Sequence, residues 1–559
     1  MDQGVIIRTL RSPSPRSARI QPRRVPCVKR ESKFKLRGAG RWAQALLSPL
    51  LLVGLLASPE AGAGVVGEGP QGVDSGLRLA CTGFTASGAA VICVRAGAAA
   101  GGTGTAAAPV ATLSAAIAGA KAGDTVQVAA GTYRENLALG SFASPSSKCL
   151  QLLGGFSADF SQRQADTQRS VLDGQARNPT VQLHLQGSGS CVLDGFEITG
   201  GLGLGSTWQD GNGNGGGVYA SLSAGVSLLI SHNRIHGNRT RSHTSIDSRG
   251  GGVYARNSGS GLLRIEDNAV ENNLAGKGAG ITVSGRQARV LRNRIATNIA
   301  HSDHGGGLYV STASTEIQAN VIVGNAVGAT VGYGWGGGVL IAAAGATMER
   351  NLITDNFASG PGSGVFWDEG AEGSMRNDLL VANRCPDDSR NGAALYVDGG
   401  PGGASRVTAE HLTIALHVCP APAPGGAAVL VEAGSTLTLK NSILWGNTRE
   451  FASYTGGSFA ISYSITGQAG TGNRALDPRF VSPATGDYHV QSAGGHFSPG
   501  GWVIDARTSP AVDAGDPASA YANEPAPNGG RVNLGAYGNT VEASRSVVDQ
   551  NALFGDGFE

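Results

Sequence analysis

The sequence predicts an all-β solenoid, a coil of stacked parallel strands. Two recurring phrases and their spacing predict it. The first is a glycine cluster followed by a short apolar strand: Gly215-Gly-Gly-Val-Tyr-Ala, Gly250-Gly-Gly-Val-Tyr-Ala, Gly278-Ala-Gly-Ile-Thr-Val, Gly305-Gly-Gly-Leu-Tyr-Val, Gly336-Gly-Gly-Val-Leu-Ile, Gly362-Ser-Gly-Val-Phe-Trp, Gly392-Ala-Ala-Leu-Tyr-Val and Gly426-Ala-Ala-Val-Leu-Val. Successive copies start 26 to 35 residues apart, as the numbers of their first glycines show. The second phrase, Asn-x-aliphatic-x-x-Asn, lies between copies of the first. It reads NRIHGN from Asn233, NAVENN from Asn268, NRIATN from Asn293, NVIVGN from Asn320 and NLITDN from Asn351, and Asp378 opens DLLVAN with Asp for the first Asn. Leu412 and Asn441 begin two looser copies.

Each unit then holds three short apolar strands: after the glycines, before the first Asn, and between the Asn pair. None shows helical spacing. One such rung cannot bury its own apolar face and must stack on its neighbours. Asn and Gly suit the corners, where left-handed backbone is needed. Stacked Asn side chains are expected to satisfy one another along the axis. A propeller blade needs four strands and about 40 residues per unit, which fits worse.

Composition agrees. Glycine contributes 88 of 559 residues, with no every-third-residue pattern, so collagen is excluded. The apolar share of 41% is enough for a core. A chain of this length suggests several domains, but a solenoid lengthens one core instead.

Residues 1–63 read as an export signal that is cleaved. Twelve Lys/Arg between Arg8 and Arg41 face three acids, Asp2, Glu31 and Glu60. The apolar run 43–57 and then Ala61-Gly62-Ala63 follow, which is the secretory order. The run is short for a membrane span and carries Pro49. Without this segment 43 − 12 bases stand against 41 − 3 acids, so the whole-chain +2 becomes −7. No basic patch with interleaved aromatics remains, which excludes nucleic acid as the expected partner. Cys27 leaves with the signal. The remaining six cysteines, an even count in an exported chain, read as disulfides.

The repeats resemble the right-handed parallel β-helix family, the pectate-lyase-like fold. The stretch 112–133, TLSAAIAGAKAGDTVQVAAGTY, is similar to the first turn of such proteins, where a short helix caps the core. LLGGFSADF from Leu152, VLDG from Val171 and LDGFEITGG from Leu193 continue it. Downstream, DPRFV from Asp477, GDYH from Gly486, SPAVDAGD from Ser509 and NLGAY from Asn533 resemble the closing region of choice-of-anchor Q proteins. The resemblance implies a single-stranded right-handed parallel β-helix of eleven or twelve rungs. Its parts are a lead-in at 64–104, the coil with its N-terminal helical cap (about 105–122) at 105–473, a closing region at 474–540 and a tail at 541–559. The tail's FGDGFE reads equally as a sorting tag or an unstructured end. A monomer with no stable membrane span in the mature chain is expected.

In that register Cys385 and Cys419 each lie seven residues into successive rungs, at Asp378 and Leu412, and Cys149 and Cys191 precede equivalent strands. Rungs about 4.8 Å apart fall inside disulfide reach. The expected bonds are Cys149–Cys191 and Cys385–Cys419, with Cys81–Cys93 left as a local loop; reduced, buried thiols are the alternative.

Side chains alternate across a strand. If the small and aliphatic residues of the glycine strands point inward, the middle residue faces out. That column includes Tyr219, Tyr254, Tyr309, Phe366 and Tyr396, with Trp335 in a nearby loop. An exposed aromatic column stacks on sugar rings and marks an interaction surface. Equally, Tyr and Phe are good strand residues that pair across rungs.

Enzymes of this fold cleave acidic polysaccharides in a groove beside that sheet. The bordering loops carry His243, Asp247 and Arg249; His301, Asp303 and His304; Tyr333 and Trp335; and Arg384, Asp387, Asp388 and Arg390. Asp368 and Glu369 follow one strand. A lyase needs a cation against the uronate carboxyl and a base; a hydrolase needs two carboxylates. His301, Asp303, His304, Asp368 and Glu369 are the candidate catalytic set, against the plain alternative of solvated loop residues. No polygalacturonase-like paired Asp with Arg-x-Lys, no metalloprotease motif and no phosphate loop is present. Ca²⁺ is admitted by the acidic corners Asp513 and Asp516, without a ladder of ligands. The expected function is binding of extracellular polysaccharide by an exported or cell-surface protein. The alternative is a polysaccharide lyase or glycoside hydrolase.

Overall fold

Residues such as Val253, Ala255, Leu263, Ile265 and Val270 recur at the same places in every repeat, and each occurrence needs a dry surface to cover it. The computed structural model meets that need by winding the chain into a right-handed parallel β-helix. It describes residues 79–85, 89–204, 213–241, 247–301, 303–328, 333–342, 345–385, 394–419 and 426–547. These belong to one unit of the chain, Gly62–Glu559. The expected export segment and the tail beyond residue 547 lie outside the described residues.

One rung is typical. The glycine strand Val253–Asn257 is followed by Leu263–Glu266, then Ala269–Glu271, then the two-residue Leu274–Ala275. Like strands stack in parallel register, Val218 on Val253 on Ile281 on Leu308 in the first column. Ile281–Leu291 and Leu308–Gln318 run through both of the first two columns, joining them, among the described residues, into one sheet of 22 strands. Among the same residues the third column is a separate sheet of eleven strands, and a short fourth column holds four. The inward residues of all three main columns, for example Val283, Val290 and Ile295, form one continuous core with no exposure. Each fully buried aliphatic contributes about 1.5–3 kcal/mol.

At the N-terminal end one helix, Leu113–Gly119, covers the core with Leu113, Ala116 and Ile117. It is shorter than the expected 105–122. Thr112 caps it by accepting from the Ala115 N–H, and Glu135 accepts from Leu113 and Ser114 at 3.0 and 2.9 Å. An anionic cap at a helix N-terminus is favourable.

The Asn phrase builds two buried ladders. Asn233, Asn268, Asn293, Asn320 and Asn351 each accept, through Oδ1, the backbone N–H of the ladder residue or its counterpart one rung earlier. The first ladder ends on Asp378. The second runs through Asn238, Asn273, Asn298, Asn325, Asn356 and Asn383. The left-handed corner falls on the residue before each ladder Asn, such as Arg292 or Thr297, with φ of 54° and 53°. Asn is therefore there for its amide, and left-handed tolerance is asked of its neighbour.

The glycines have two distinct duties. Gly305, with φ of 65°, lets the turn fold back onto Tyr309, whose Cβ would sit 3.0 Å from an added Cβ. Gly307 lies against Asn325 of the second ladder, where an added Cβ would meet Nδ2 at 2.9 Å.

Disulfides join Cys149 to Cys191 and Cys385 to Cys419 between neighbouring rungs, with Cα separations of 4.7 and 5.6 Å, and Cys81 to Cys93 near the N-terminal end. The segment after the coil returns along its flank. Asn377 donates to the Ala536 and Gly538 carbonyls, Thr413 accepts from Ala536, and Asn441 accepts from Asp516.

Candidate functional site

The central residues of the glycine strands point away from the core, as alternation predicts. Val218 and Ala220 join the main core, while Tyr219 and Tyr254 form a separate cluster with Leu204. Tyr309, Leu340, Phe366, Tyr396 and Leu430 form another. The column is nevertheless not open to solvent. Tyr219, Tyr254, Tyr309, Phe366 and Tyr396 are 3%, 8%, 8%, 2% and 0% exposed. The glycine turns close over them, and neighbouring rings do the rest. Tyr219 stacks on Tyr254 at 5.2 Å and is covered by His184 and Phe142. Burial lowers the His184 pKa to about 4, so this covering ring is neutral at pH 7. Arg249 lies over Tyr309 at 5.6 Å.

Accessible aromatic surface survives where the loop bearing Tyr333 and Trp335 crosses the column. The strand Gly334–Trp335 pairs with Asp303–His304. Trp335 meets His304 edge-on at 4.6 Å, Tyr333 at 6.3 Å and Phe366 at 6.1 Å, and Phe366 meets Tyr396 at 5.1 Å. This makes one wall of four rings from Tyr333, which is 55% exposed, through half-buried Trp335 to fully buried Tyr396.

Beside the wall runs a second outward column, two residues further along each strand. The register sets Ser221 on Arg256, Ser284 and Ser311. Further on, Ala342 pairs with Asp368, and the strands carrying Phe366, Tyr396 and Leu430 continue in step. Asp398 and Glu432, the next residues after Val397 and Val431, therefore follow Asp368 on successive rungs. Burial, then the Glu432 charge, then that of Asp368 push the Asp398 pKa up to about 7, against the pull of the Gly399 N–H. Burial, followed by Glu432, also pushes the Tyr396 phenol well above its ordinary value.

The candidate catalytic residues divide between the two edges of the first column. His304 precedes its strand; Asp368 ends its own, two rungs on. Asp368 is buried and accepts from the Glu369 N–H at 2.7 Å, and Glu369 is half-buried with φ of 56°. His301 is half-buried and its backbone N–H is held by the Ala275 carbonyl. The Asp303 side chain, and His243, Asp387, Asp388 and Arg390, lie outside the described residues. Asp398 and Glu432 were not anticipated. Their signal was present: VFWD, LYVD and VLVE carry the acid at one phrase position in three consecutive repeats.

The acidic corners are occupied by protein groups. Asp513 accepts from Gly529 and Ser546, and Asp516 accepts from Ala518 and pairs with Lys440 at 3.7 Å. Among the described residues no group of three or more His, Cys, Asp or Glu converges as a metal site. Among them, too, no helix is long and apolar enough to cross a membrane.

Residues 176–343 match the family model for the right-handed β-helix region. Two solved structures are similar to this chain. Pectate lyase Pel9A is 16% identical, with 80% of this chain and 95% of that one covered and a TM-score of 0.42. The Agl-KA catalytic domain is 16% identical, covering 68% and 69%, with a TM-score of 0.37. No curated protein matches.

Proposed function

We propose that this protein is exported and binds extracellular polysaccharide along the outward face of its glycine-strand sheet, downstream of Tyr309. The observation that carries the reading is the ring wall Tyr333–Trp335–Phe366–Tyr396, open at the Tyr333 end and edged by acids. Flat sugar faces pack on such rings, and the acids offer hydrogen-bond acceptors to hydroxyls. Three disulfides support an oxidising compartment. The export signal at 1–63, the choice-of-anchor Q character of 474–540 and the monomeric state belong to the same proposal.

Retention of the purified protein on immobilised neutral and acidic polysaccharides tests it. Tyr333→Ala and Trp335→Ala are expected to lose retention. Tyr333→Ala should keep the wild-type melting temperature, because that ring is mostly exposed. Unchanged retention in both variants overturns the reading.

Glycoside hydrolysis is a second reading, and one observation favours it. Carboxylate-bearing residues stand one rung apart, about 4.8 Å, near the separation of about 5–5.5 Å used for retention. Asp398, raised to about 7, suits a general acid. Release of reducing ends from any polysaccharide, abolished by Asp398→Asn, is the result that would establish it.

A further inference from the structure

We propose that His489 is a pH-sensitive latch, holding the closing region onto the coil while its imidazole carries the extra proton and slackening that hold when the proton leaves. This device stands apart from the polysaccharide reading and lies on the flank formed by the third column.

Three stretches of the closing region meet at His489. Its own strand, Asp487–Val490, brings Asp487, whose Oδ1 faces Nδ1 at 2.7 Å. The stretch beyond Asn539 brings Glu542, whose Oε2 stands 3.7 Å from Nε2. The docking stretch brings Tyr537, whose ring stacks on the imidazole with centroids 3.7 Å apart. The His489 side chain is 2% exposed, so it meets these groups and almost no solvent.

Both ring nitrogens therefore face carboxylates. A neutral imidazole has one N–H and would turn the lone pair of the other nitrogen towards the second carboxylate; an imidazolium donates from both. The cation also lies on the face of an aromatic ring, which favours it. Burial acts to lower the His489 pKa, but Asp487 and Glu542 outweigh it and hold the imidazole above its ordinary value. Burial likewise works against the Asp487 carboxylate, and His489 holds that group below its ordinary value.

Tyr537 ties this proton to the coil. It packs with Leu379, Val381 and Ala415 of the third column. Beside it the Ala536 N–H donates to Thr413 at 2.9 Å and the Gly535 N–H to the Asn441 carbonyl at 2.8 Å. Ser544, two residues past Glu542, accepts from Asn533 and donates to the Val490 carbonyl, which braces the three stretches against one another. Loss of the proton leaves Nε2 with no hydrogen to offer Glu542 and removes the charge against Tyr537. Because the folded value is raised, the latch contributes in full below the unfolded value of about 6.5 and is lost as pH rises through the folded one.

Other titratable groups stand at this junction. Tyr488 shares the strand, and His496 acts on Asp487 and pairs with Asp505. From the coil, Asp355 acts on Tyr488, and His411 lies beside Gly538. Glu524 accepts the Asn533 and Asn539 N–H groups, and burial pushes it up to about 7.

The test is hydrogen–deuterium exchange of the full chain from pH 5 to pH 9, read by mass spectrometry on wild type, His489→Gln and Glu542→Gln. Exchange at the imidazole C2–H gives the midpoint at which His489 loses its proton. Amide exchange over residues 533–538, corrected for the intrinsic rate at each pH, gives the protection of the docking stretch. The midpoint is expected above about 6.5, and lower in Glu542→Gln than in wild type. Protection of wild type relative to His489→Gln should fall by about tenfold for each unit by which the midpoint exceeds about 6.5. Glu524 and the other groups cancel in that ratio. In Glu542→Gln the fall should move to lower pH together with the midpoint. A midpoint at or below about 6.5, a ratio that stays constant across the midpoint, or a fall that does not move in Glu542→Gln overturns the latch.

Discussion

Asp378→Asn is expected to stabilise the coil at neutral and alkaline pH and to leave it unchanged in acid. Asp378 ends the first ladder, its Oδ1 accepting the backbone N–H and Nδ2 of Asn351, both at 2.8 Å. The other ladder residues turn Nδ2 towards a carbonyl of the preceding rung, as Asn351 does to Ile317 at 2.9 Å. Ile317 pairs with Met348, so the same register sets Oδ2 of Asp378 opposite the Met348 carbonyl, where it has no donor. A carboxylate there opposes oxygen to oxygen, whereas a carboxylic acid can donate. Burial above all, with a smaller push from Glu349, raises the pKa to about 7 against the two Asn351 bonds. The unfolded value is about 3.9. Between those values the folded state holds the extra proton, so stability is fully present in acid, falls as pH rises through the window, and is lowest above about 7. At about 1.4 kcal/mol per pH unit the loss is at most about 4 kcal/mol. Asn donates at every pH and removes the loss. Urea unfolding of wild type and variant at pH 4 and pH 8 reads the effect, and other titrating groups cancel in the comparison. A difference between the two proteins that is equal at both pH values refutes the reasoning.

Asn320→Ala should destabilise by about 2–6 kcal/mol, since it orphans the buried Asn293 N–H and removes the donor to the Val290 carbonyl; a loss below about 1 kcal/mol in urea contradicts the ladder's energetic role. Gly336→Ala and Gly324→Ala share left-handed backbone, with φ of 69° and 64°, but an added Cβ lies 2.7 Å from Leu340 Cβ in the first and no nearer than 3.7 Å to anything in the second. The first should therefore cost about 1–3 kcal/mol more, and equal melting temperatures would remove the covering-turn explanation. Replacing both Cys149 and Cys191 by Ala opens a loop of 42 residues, and the midpoint should fall by the equivalent of at most about 4 kcal/mol; no change would mean that stacking alone holds those rungs.

How much of this was legible in the sequence follows from what each feature depends on. The phrases around Gly250 and Asn268 are local, and they repeat because each rung faces the same neighbours. Strand order, the inward set Val253–Ala255–Ile265–Val270, the disulfide partners and the outward direction of Tyr254 all follow from that repetition and from the alternation of side chains. Exposure does not. Whether Tyr254 meets water depends on how closely a turn approaches it. Gly250 permits an approach that any side chain would block, since an added Cβ would lie 2.7 Å from the Tyr254 Cβ. The helix cap by Glu135 and the docking of Ala536 on Thr413 likewise join residues distant in the chain.

The site shows the same division. Alternation assigns Asp368, Asp398 and Glu432 to one face, and the sequence alone determines that much. Only the tertiary structure decides that His304 and Asp368 stand at opposite edges of the strand column, that the aromatic column is covered and leaves accessible ring surface at Tyr333 and Trp335, and that Asp398 is buried deeply enough, close enough to two other carboxylates, to change its acidity. The physical reason is that pattern sets direction, whereas burial and electrostatic coupling depend on distances between rungs and turns that no single repeat contains.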